Sequence, residues 1–446
     1  LPLGTLITER VQRIRAAIPI RRKIMHMRSI AVILAGLIAS ACGTTGTGGP
    51  EADVPFVERA LRLELSFGDQ GLPEEFLLAE PKGLAVKDNG DILVTDEHHI
   101  KIYNAGGRPK ERLGGQGQGP GEFQEILAPF IGPAGFLAVK DGFARYNLYG
   151  PDLSYLSRFS GSADEDLRDY VREQSLTFSY VTNLCPLDTT RRICALFARN
   201  RDLRGKFPVF NILVYQDGSS LRELVKHHSL AEVLNDRGGS TDSPYLGGFH
   251  WSLLSKDRLV HAQTHQGTAE NGPASTYALH VLDLEGGTGT VIEVEYEPEI
   301  LPDGLRELTT YRNPRINLTI EPPPVLQALL DDVRFFPAFQ ALRTDGDLVF
   351  LFRFNPVNER LERSILEAEM SGAEIPEGIY SRFEPYAVDI VSLSSGRLIV
   401  RAEFTCIPDV IKAGRAYRLN TRTDAFPKVE CYVIDPAVYE YRRGPR

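Results

Sequence analysis

Residues Phe76–Gly107 read FLLAEPKGLAVKDNGDILVTDEHHIKIYNAGG, and residues Phe123–Gly150 read FQEILAPFIGPAGFLAVKDGFARYNLYG. Placed one above the other, Phe76 falls on Phe123, Pro81 on Pro129 and Asp96 on Asp141, 47, 48 and 45 residues apart. Each unit runs from Phe through Pro into a strand, a Gly turn, a second strand ending at Asp, a third strand and another Gly turn. The first unit predicts strands at Gly83–Val86, Asp91–Thr95, Ile100–Tyr103 and Arg108–Leu113. Its turn Lys87–Gly90, KDNG, contains Asn-Gly, the strongest short hairpin signal.

A period of 40–50 residues with about four strands per unit is the pattern of a β-propeller blade. The pattern continues in weaker form. Phe178–Val225, Phe249–Val294 and Phe339–Ala402 supply three more units, and Val410–Ile434 supplies only three strands of a sixth. In the fifth unit ERLERSILEAEM, within a long middle loop, reads as a short helix. The strand missing from the sixth is expected from Leu61–Phe67, LRLELSF, which alternates apolar and polar residues. The fold class is therefore all-β: a six-bladed β-propeller closed by an N-terminal strand, one domain over residues 55–440.

Leu113–Phe123, LGGQGQGPGEF, links the first two units. A phosphate-cradling loop would need Lys and Ser or Thr after its last glycine. Here Gly121 is followed by Glu122 and Phe123, and Pro120 breaks the dinucleotide pattern G-x-G-x-x-G. The glycines suit a chain that must turn sharply from the rim of one blade to the inner strand of the next.

The run PKGLAVKDNGDILVTDEHHIKIYNAGGRPKERLGGQGQGPGEF resembles the NHL-type repeat of six-bladed β-propellers. It is similar in particular to exported bacterial lipoproteins that carry this repeat in divergent form. The resemblance covers about residues 65–160; the remaining blades rest on pattern alone.

The first residues do not read as fold. Ser29–Ala41, SIAVILAGLIASA, is uncharged, mostly apolar and too short to span a bilayer comfortably. With Arg21, Arg22, Lys23 and Arg28 before it, it reads as the apolar core of a signal peptide. Ala39-Ser40-Ala41-Cys42 resembles a lipobox, in which Cys42 becomes the lipidated N-terminus, although Ala39 stands where a bulky residue is usual. Ordinary secretory cleavage or a buried helix are the alternatives. Residues 1–41 are thus an upstream segment and signal peptide, with Met25 or Met27 as the expected start, and residues 42–54 a flexible tether. The expected location is the bacterial cell envelope, facing the periplasm or the outside, with the lipid bilayer as a partner through Cys42. Residues 42–446 carry a net charge of −15, with no basic cluster to hold a nucleic-acid backbone.

With Cys42 lipidated, Cys185, Cys194, Cys406 and Cys431 remain, an even number that suits disulfides in an oxidising compartment. Cys185 and Cys194 bracket a turn and are expected to pair, leaving Cys406 with Cys431. Four buried thiols are the alternative.

Propeller geometry puts the loops between second and third strands at the same end as the links between blades. The candidate binding residues there are Asp96, Glu97, His98, His99, Gln116, Gln118, Glu122, Asp141, His265 and Arg353. Asp96-Glu97-His98-His99 holds metal-binding residue types, but neighbours on an extended chain point in different directions, so no metal is assigned. No catalytic motif is present in the sequence. The expected function is a membrane-tethered extracytoplasmic binding or interaction module for a protein, peptide or carbohydrate, without a cofactor. The alternative is a metal-dependent enzyme of lactonase or lyase type. Propellers of that kind hold a calcium ion in the channel with Glu, Asn and Asp from several blades. A mainly structural envelope protein is a third reading.

Overall fold

In the computed structural model, each of the six units becomes a sheet. The structure describes residues 54–441 except 143–144, 201–208, 230–231, 235–239, 243, 265–274, 287–288, 307–310, 314–317, 321–326, 328–329, 377 and 422–425. The signal-peptide region, Cys42 and His265 lie outside the described residues. Among those described, no helix is long and apolar enough to cross a membrane.

Blade one consists of Pro81–Val86, Ile92–Asp96, His99–Tyr103 and Pro109–Gly114, within two residues of the expected bounds. Blade two runs Ile126–Ile131, Leu137–Asp141, Arg145–Tyr149 and Tyr155–Ser160. Blade three is the longest, with Leu176–Pro186, Arg191–Asn200, Val209–Asp217 and Ser220–Ser229. Blade four holds Phe249–Leu253, Arg258–Gln263, Thr276–Asp283 and Gly289–Glu295. Blade five holds Ala341–Asp345, Leu348–Phe352, Tyr386–Ser392 and Arg397–Phe404. Blade six takes Val410–Lys412, Arg415–Asn420 and Lys428–Ile434 from the C-terminal part and Leu61–Phe67 from the N-terminal part.

The N-terminal strand closes the ring as its alternation implied. Leu61 pairs with Ile434 and Phe67 with Val429, antiparallel, as the outer strand of blade six. A sheet edge that would otherwise offer unpaired backbone groups is thereby covered. Just before it, Phe56–Val57 adds a fifth, parallel strand to blade five, opposite Arg401 and Ala402.

The core is divided among the spaces between blades. Strand side chains alternate between the two faces of a sheet. Ile92 and Val94 therefore pack towards blade six, with Phe67, Tyr417 and Val429. Leu93 packs towards blade two, with Phe123, Leu137 and Val139. A similar apolar cluster joins blades two and three, three and four, four and five, and five and six. Because both faces are buried, the second strand Ile92–Asp96 opens on an unbroken apolar run, Ile92-Leu93-Val94.

The helix expected within blade five spans Pro356–Ser371, with Asn355 as its N-cap and Gly372 in the left-handed region as its C-cap. Near it lies a separate apolar cluster of Leu246, Leu301, Leu305, Leu330, Val333, Phe336 and Phe354. Topology puts this cap at the end of the ring that carries the links between blades.

The expected disulfides are absent: all four cysteines are buried free thiols. Register explains it. Cys185 lies opposite Ile193, and Cys194 lies opposite Leu184. The two are one position out of step, so their side chains project from opposite faces of blade three. Cys194 enters the cluster towards blade two, while Cys185 approaches the Ile131 carbonyl at 3.9 Å near the channel. Cys406 and Cys431 pack into different clusters, on opposite sides of blade six. Burial pushes the thiols of Cys185, Cys194 and Cys431 up to about 12 and that of Cys406 to about 11, so they behave as small apolar residues.

Candidate functional site

Asp96 and Asp141 do occupy equivalent places, each at the end of a second strand. Both side chains are buried. Asp96 accepts the N–H groups of Ala79 at 3.0 Å and Glu80 at 2.6 Å, and the Lys101 ammonium at 2.7 Å. Asp141 accepts those of Gln124 and Glu125, both at 2.9 Å, with Arg145 at 3.1 Å. In blade four, the Thr264 hydroxyl receives Gly248 N–H at 2.7 Å. All three side chains cap an N–H 16 residues earlier. Each lock fixes the incoming link to the strand end of its own blade, and Asp96, Asp141 and Thr264 are almost fully buried.

The other candidates around blade one are spread along the same end. Glu97 has positive φ in the tight turn and is half-exposed, 3.8 Å from Lys101. The Nδ1 atoms of His98 and His99 are buried without a hydrogen-bond partner among the described residues. Burial, and then the Arg112 and Lys101 charges, hold His99 below the ordinary histidine range.

The glycine-rich link is a stapled loop. Arg158 donates to the carbonyls of Gln118, Gly119 and Glu122 at 2.9–3.1 Å and to Asn147 Oδ1 at 3.0 Å. The Glu122 carboxylate receives Gly119 N–H at 2.7 Å, and Gln116 bridges Phe123 through the backbone. Gly114 has φ +86°, and a Cβ there would stand 2.6 Å from the Phe123 ring, so both backbone and space demand glycine. Arg353 sits between blades four and five, 3.3 Å from the buried Asp389 and over the Tyr296 ring.

The large cavity belongs to the other end. It has a volume of about 980 Å³ and is lined by the inner strands of all six blades. The turns after those strands surround it, through Asp88, Pro133, Ala134, Ser255, Lys256 and Gly346. None of the nine described candidate residues lines it. Its wall includes Leu84, Phe130, Ile131, Leu253 and Ile411, and Trp251, the only tryptophan of the chain. Trp251 joins the apolar cluster between blades three and four and also lines the channel.

Much of the charge around this cavity ties blades together. Lys412 pairs with Asp88 at 2.6 Å and donates to the Val86 carbonyl at 3.0 Å, joining blade six to blade one. Asp345 accepts the N–H groups of Ala413 and Gly414 and the Tyr439 hydroxyl, joining blades five and six. Ser252 and Thr344 share a hydrogen bond of 2.8 Å between blades four and five. Arg343, on the inner strand of blade five, is held differently. Its Nε donates to the Pro408 carbonyl at 2.8 Å and its Nη1 to the Leu342 carbonyl at 2.9 Å. The carboxyl of Asp409, also in the lining, accepts Leu419 N–H at 2.7 Å and is raised by burial.

Sequence reasoning missed this end because its polar residues are single and scattered over six strands. The visible signal was the recurring position of the first strand of each unit.

No family model and no curated relative matches the chain. Solved structures of similar outline include a protein of Bacteroides fragilis NCTC 9343 named for its expected export. It is 12% identical, with a TM-score of 0.29, over 85% of this chain and 99% of that one. BamB from Moraxella catarrhalis is 10% identical, with a TM-score of 0.30, over 79% and 85%. An α-L-arabinanase of Penicillium chrysogenum, complexed with arabinobiose, is 9% identical, with a TM-score of 0.31, over 81% and 93%. At these identities the likeness concerns the fold alone.

Proposed function

We propose that this protein is a lipid-anchored envelope binding module that receives its ligand in the central channel, at the end surrounded by the turns that follow the inner strands. The observation that carries the reading is the cavity of about 980 Å³, drawn from all six blades, whose wall combines apolar surface with charged and polar side chains. Concave, mostly apolar sites with a small number of placed polar groups are the usual form of ligand pockets. The anchor rests on the sequence alone, through the basic segment, the apolar run and Cys42. Asp96 and Asp141 act in this reading as structural locks, and the ligand-facing role passes to the channel wall.

The metal-dependent enzyme reading needs several metal ligands to converge. Among the described residues, no three His, Cys, Asp or Glu side chains form a group able to hold a metal. No reaction step is therefore derived through calcium.

One experiment tests both parts. Wild-type protein, Cys42→Ala and Ala128→Trp are expressed in a bacterial host, fractionated and weighed by native mass spectrometry. Ala128 lines the cavity, and a tryptophan there would fill part of it. Wild-type protein should be found in the membrane fraction carrying a bound mass. Cys42→Ala should move to the soluble fraction, and Ala128→Trp should lose the bound mass while melting within a few degrees of wild type. An unchanged bound mass in Ala128→Trp would refute the channel, and Cys42→Ala remaining with the membrane after a high-salt wash would refute the anchor.

A further inference from the structure

Four cations line the channel: Lys82, Lys256, Lys412 and Arg343. Three have a carboxylate nearby, Glu80 at 3.6 Å, Asp257 at 3.9 Å and Asp88 at 2.6 Å respectively. Arg343 has none within ion-pair distance among the described residues. Asp409 reaches it only as a longer-range charge and spends one carboxylate oxygen on Leu419 N–H. The other titratable neighbour is His250, which burial and the Arg343 charge push down to about 4, leaving it neutral. A guanidinium desolvated by burial is expensive to keep without an anion.

The geometry also presents this cation to the channel. Two backbone carbonyls clamp Nε and Nη1, which fixes the plane of the group. Nη2 enters no hydrogen bond among the described residues, and it is not one of the buried atoms lacking a partner. It belongs to a residue of the cavity lining. A planar donor, immobilised beforehand, suits a carboxylate better than a flexible ammonium does.

Building on the channel reading above, we propose that the site holds a small amphipathic carboxylate. Its single anionic head pairs with Arg343, and its apolar body lies against the wall formed by Ile131, Trp251, Leu253 and Ile411. A fatty acid and the free C-terminus of an apolar peptide share this chemistry. The cavity is too small for a folded partner but has room for either.

The single tryptophan makes the test direct, because Trp251 fluorescence reports on this cavity alone. The purified protein is titrated with decanoate against decanol, and with N-acetyl-Ala-Leu-Phe against its C-terminal amide. At least one acid should shift the Trp251 emission saturably, with a Kd at least tenfold below that of its neutral counterpart; whichever acid does so identifies the source. Arg343→Gln should abolish that preference while keeping the weaker neutral binding, and Arg343→Lys should retain part of it. Equal binding of acid and neutral probe would overturn the carboxylate assignment and leave the channel reading standing. A preference that survives Arg343→Gln would place the anchor elsewhere. If no probe alters the emission, the assignment fails, while a bound mass displaced by Ala128→Trp would still support the channel. Should Arg343→Gln fail to fold, wild type and Arg343→Lys decide, since 0.5 M salt must weaken acid binding and spare neutral binding.

Discussion

The two ends of the ring use charge in opposite ways. At the end with the links between blades, Asp96 receives two backbone N–H groups and the Lys101 ammonium, and both charged side chains are out of solvent. At the end with the inner-strand turns, Arg343 lines the cavity and gives two donors to carbonyls, with no hydrogen bond from Nη2 among the described residues. A charged group whose partners are complete is part of the scaffold. A fixed, desolvated charge with an open valence is a place for something else to bind. The conspicuous cluster Asp96-Glu97-His98-His99 begins with a residue of the first kind, and the unremarkable Arg343 is of the second.

The largest expected effect falls on both ends at once. A chain beginning at Gly68 lacks the outer strand of blade six, whereas one beginning at Pro55 keeps it. The Pro55 chain should melt close to full length. The Gly68 chain should lose its cooperative transition in calorimetry, since closure holds all six wedges together. Equal melting temperatures would mean that the ring does not depend on its closing strand.

The comparison is sharpened by removing one charge from each end. Asp96→Ala leaves the buried Lys101 ammonium with only the Leu77 carbonyl and the half-exposed Glu97, at a cost of about 3–5 kcal/mol in denaturant unfolding. Arg343→Gln keeps a hydrogen-bonding group near the two carbonyls and should cost no more than about 1.5 kcal/mol. The reverse order would break the distinction between scaffold and site.

A smaller effect concerns the cap. Burial raises the Glu359 carboxyl to about 7, although the Tyr245 hydroxyl donates to it at 2.9 Å. A carboxyl with a higher pKa folded than unfolded holds its proton more tightly in the folded state. Its contribution is therefore complete below about pH 4.5 and is lost as pH rises through 7. Hydrogen exchange around Pro356–Ser371 should speed up over that window, by a loss of roughly 2 kcal/mol of local stability. Glu359→Gln should flatten the dependence. Exchange at the inner-strand turns should not follow it, and a parallel change there would show that the two ends are coupled.

The sequence made the blades legible because a blade repeats its punctuation. Phe, Pro, the Gly turns and the strand-ending Asp return every 45–48 residues in the first two units, and the first four strands appear within two residues of their expected bounds. The orphan strand Leu61–Phe67 was legible for the same reason, since its alternation needed a partner. The aligned pair Asp96 and Asp141 marked a real equivalence, but a repeated residue in a repeat protein first serves the repeat. What it caps, an N–H 16 positions earlier, emerges only when the strand end folds back on its link. The cysteines show a similar limit. Their spacing suited a bridged hairpin, but a register one residue out of step sends the side chains to opposite faces. Arg343 gave no local sign at all, because its clamp includes Pro408, 65 residues away, and the cavity it lines needs six strands.

The segment from Pro55 to Phe67 has a mechanical meaning as well. Arg401 N–H reaches the Pro55 carbonyl, Ala60 N–H reaches that of Glu403, and Asp435 N–H reaches that of Ala60, before the closing strand begins. A pull on the chain ahead of Pro55 is thus first borne by blade five, through the short parallel pairing of Phe56 and Val57. Only after that pairing yields does the load pass to the longer antiparallel strand of blade six. The two attachments act in series, like a weak stitch placed ahead of a seam. Tension at a surface would open the stitch first and leave the ring, and whatever its channel holds, intact.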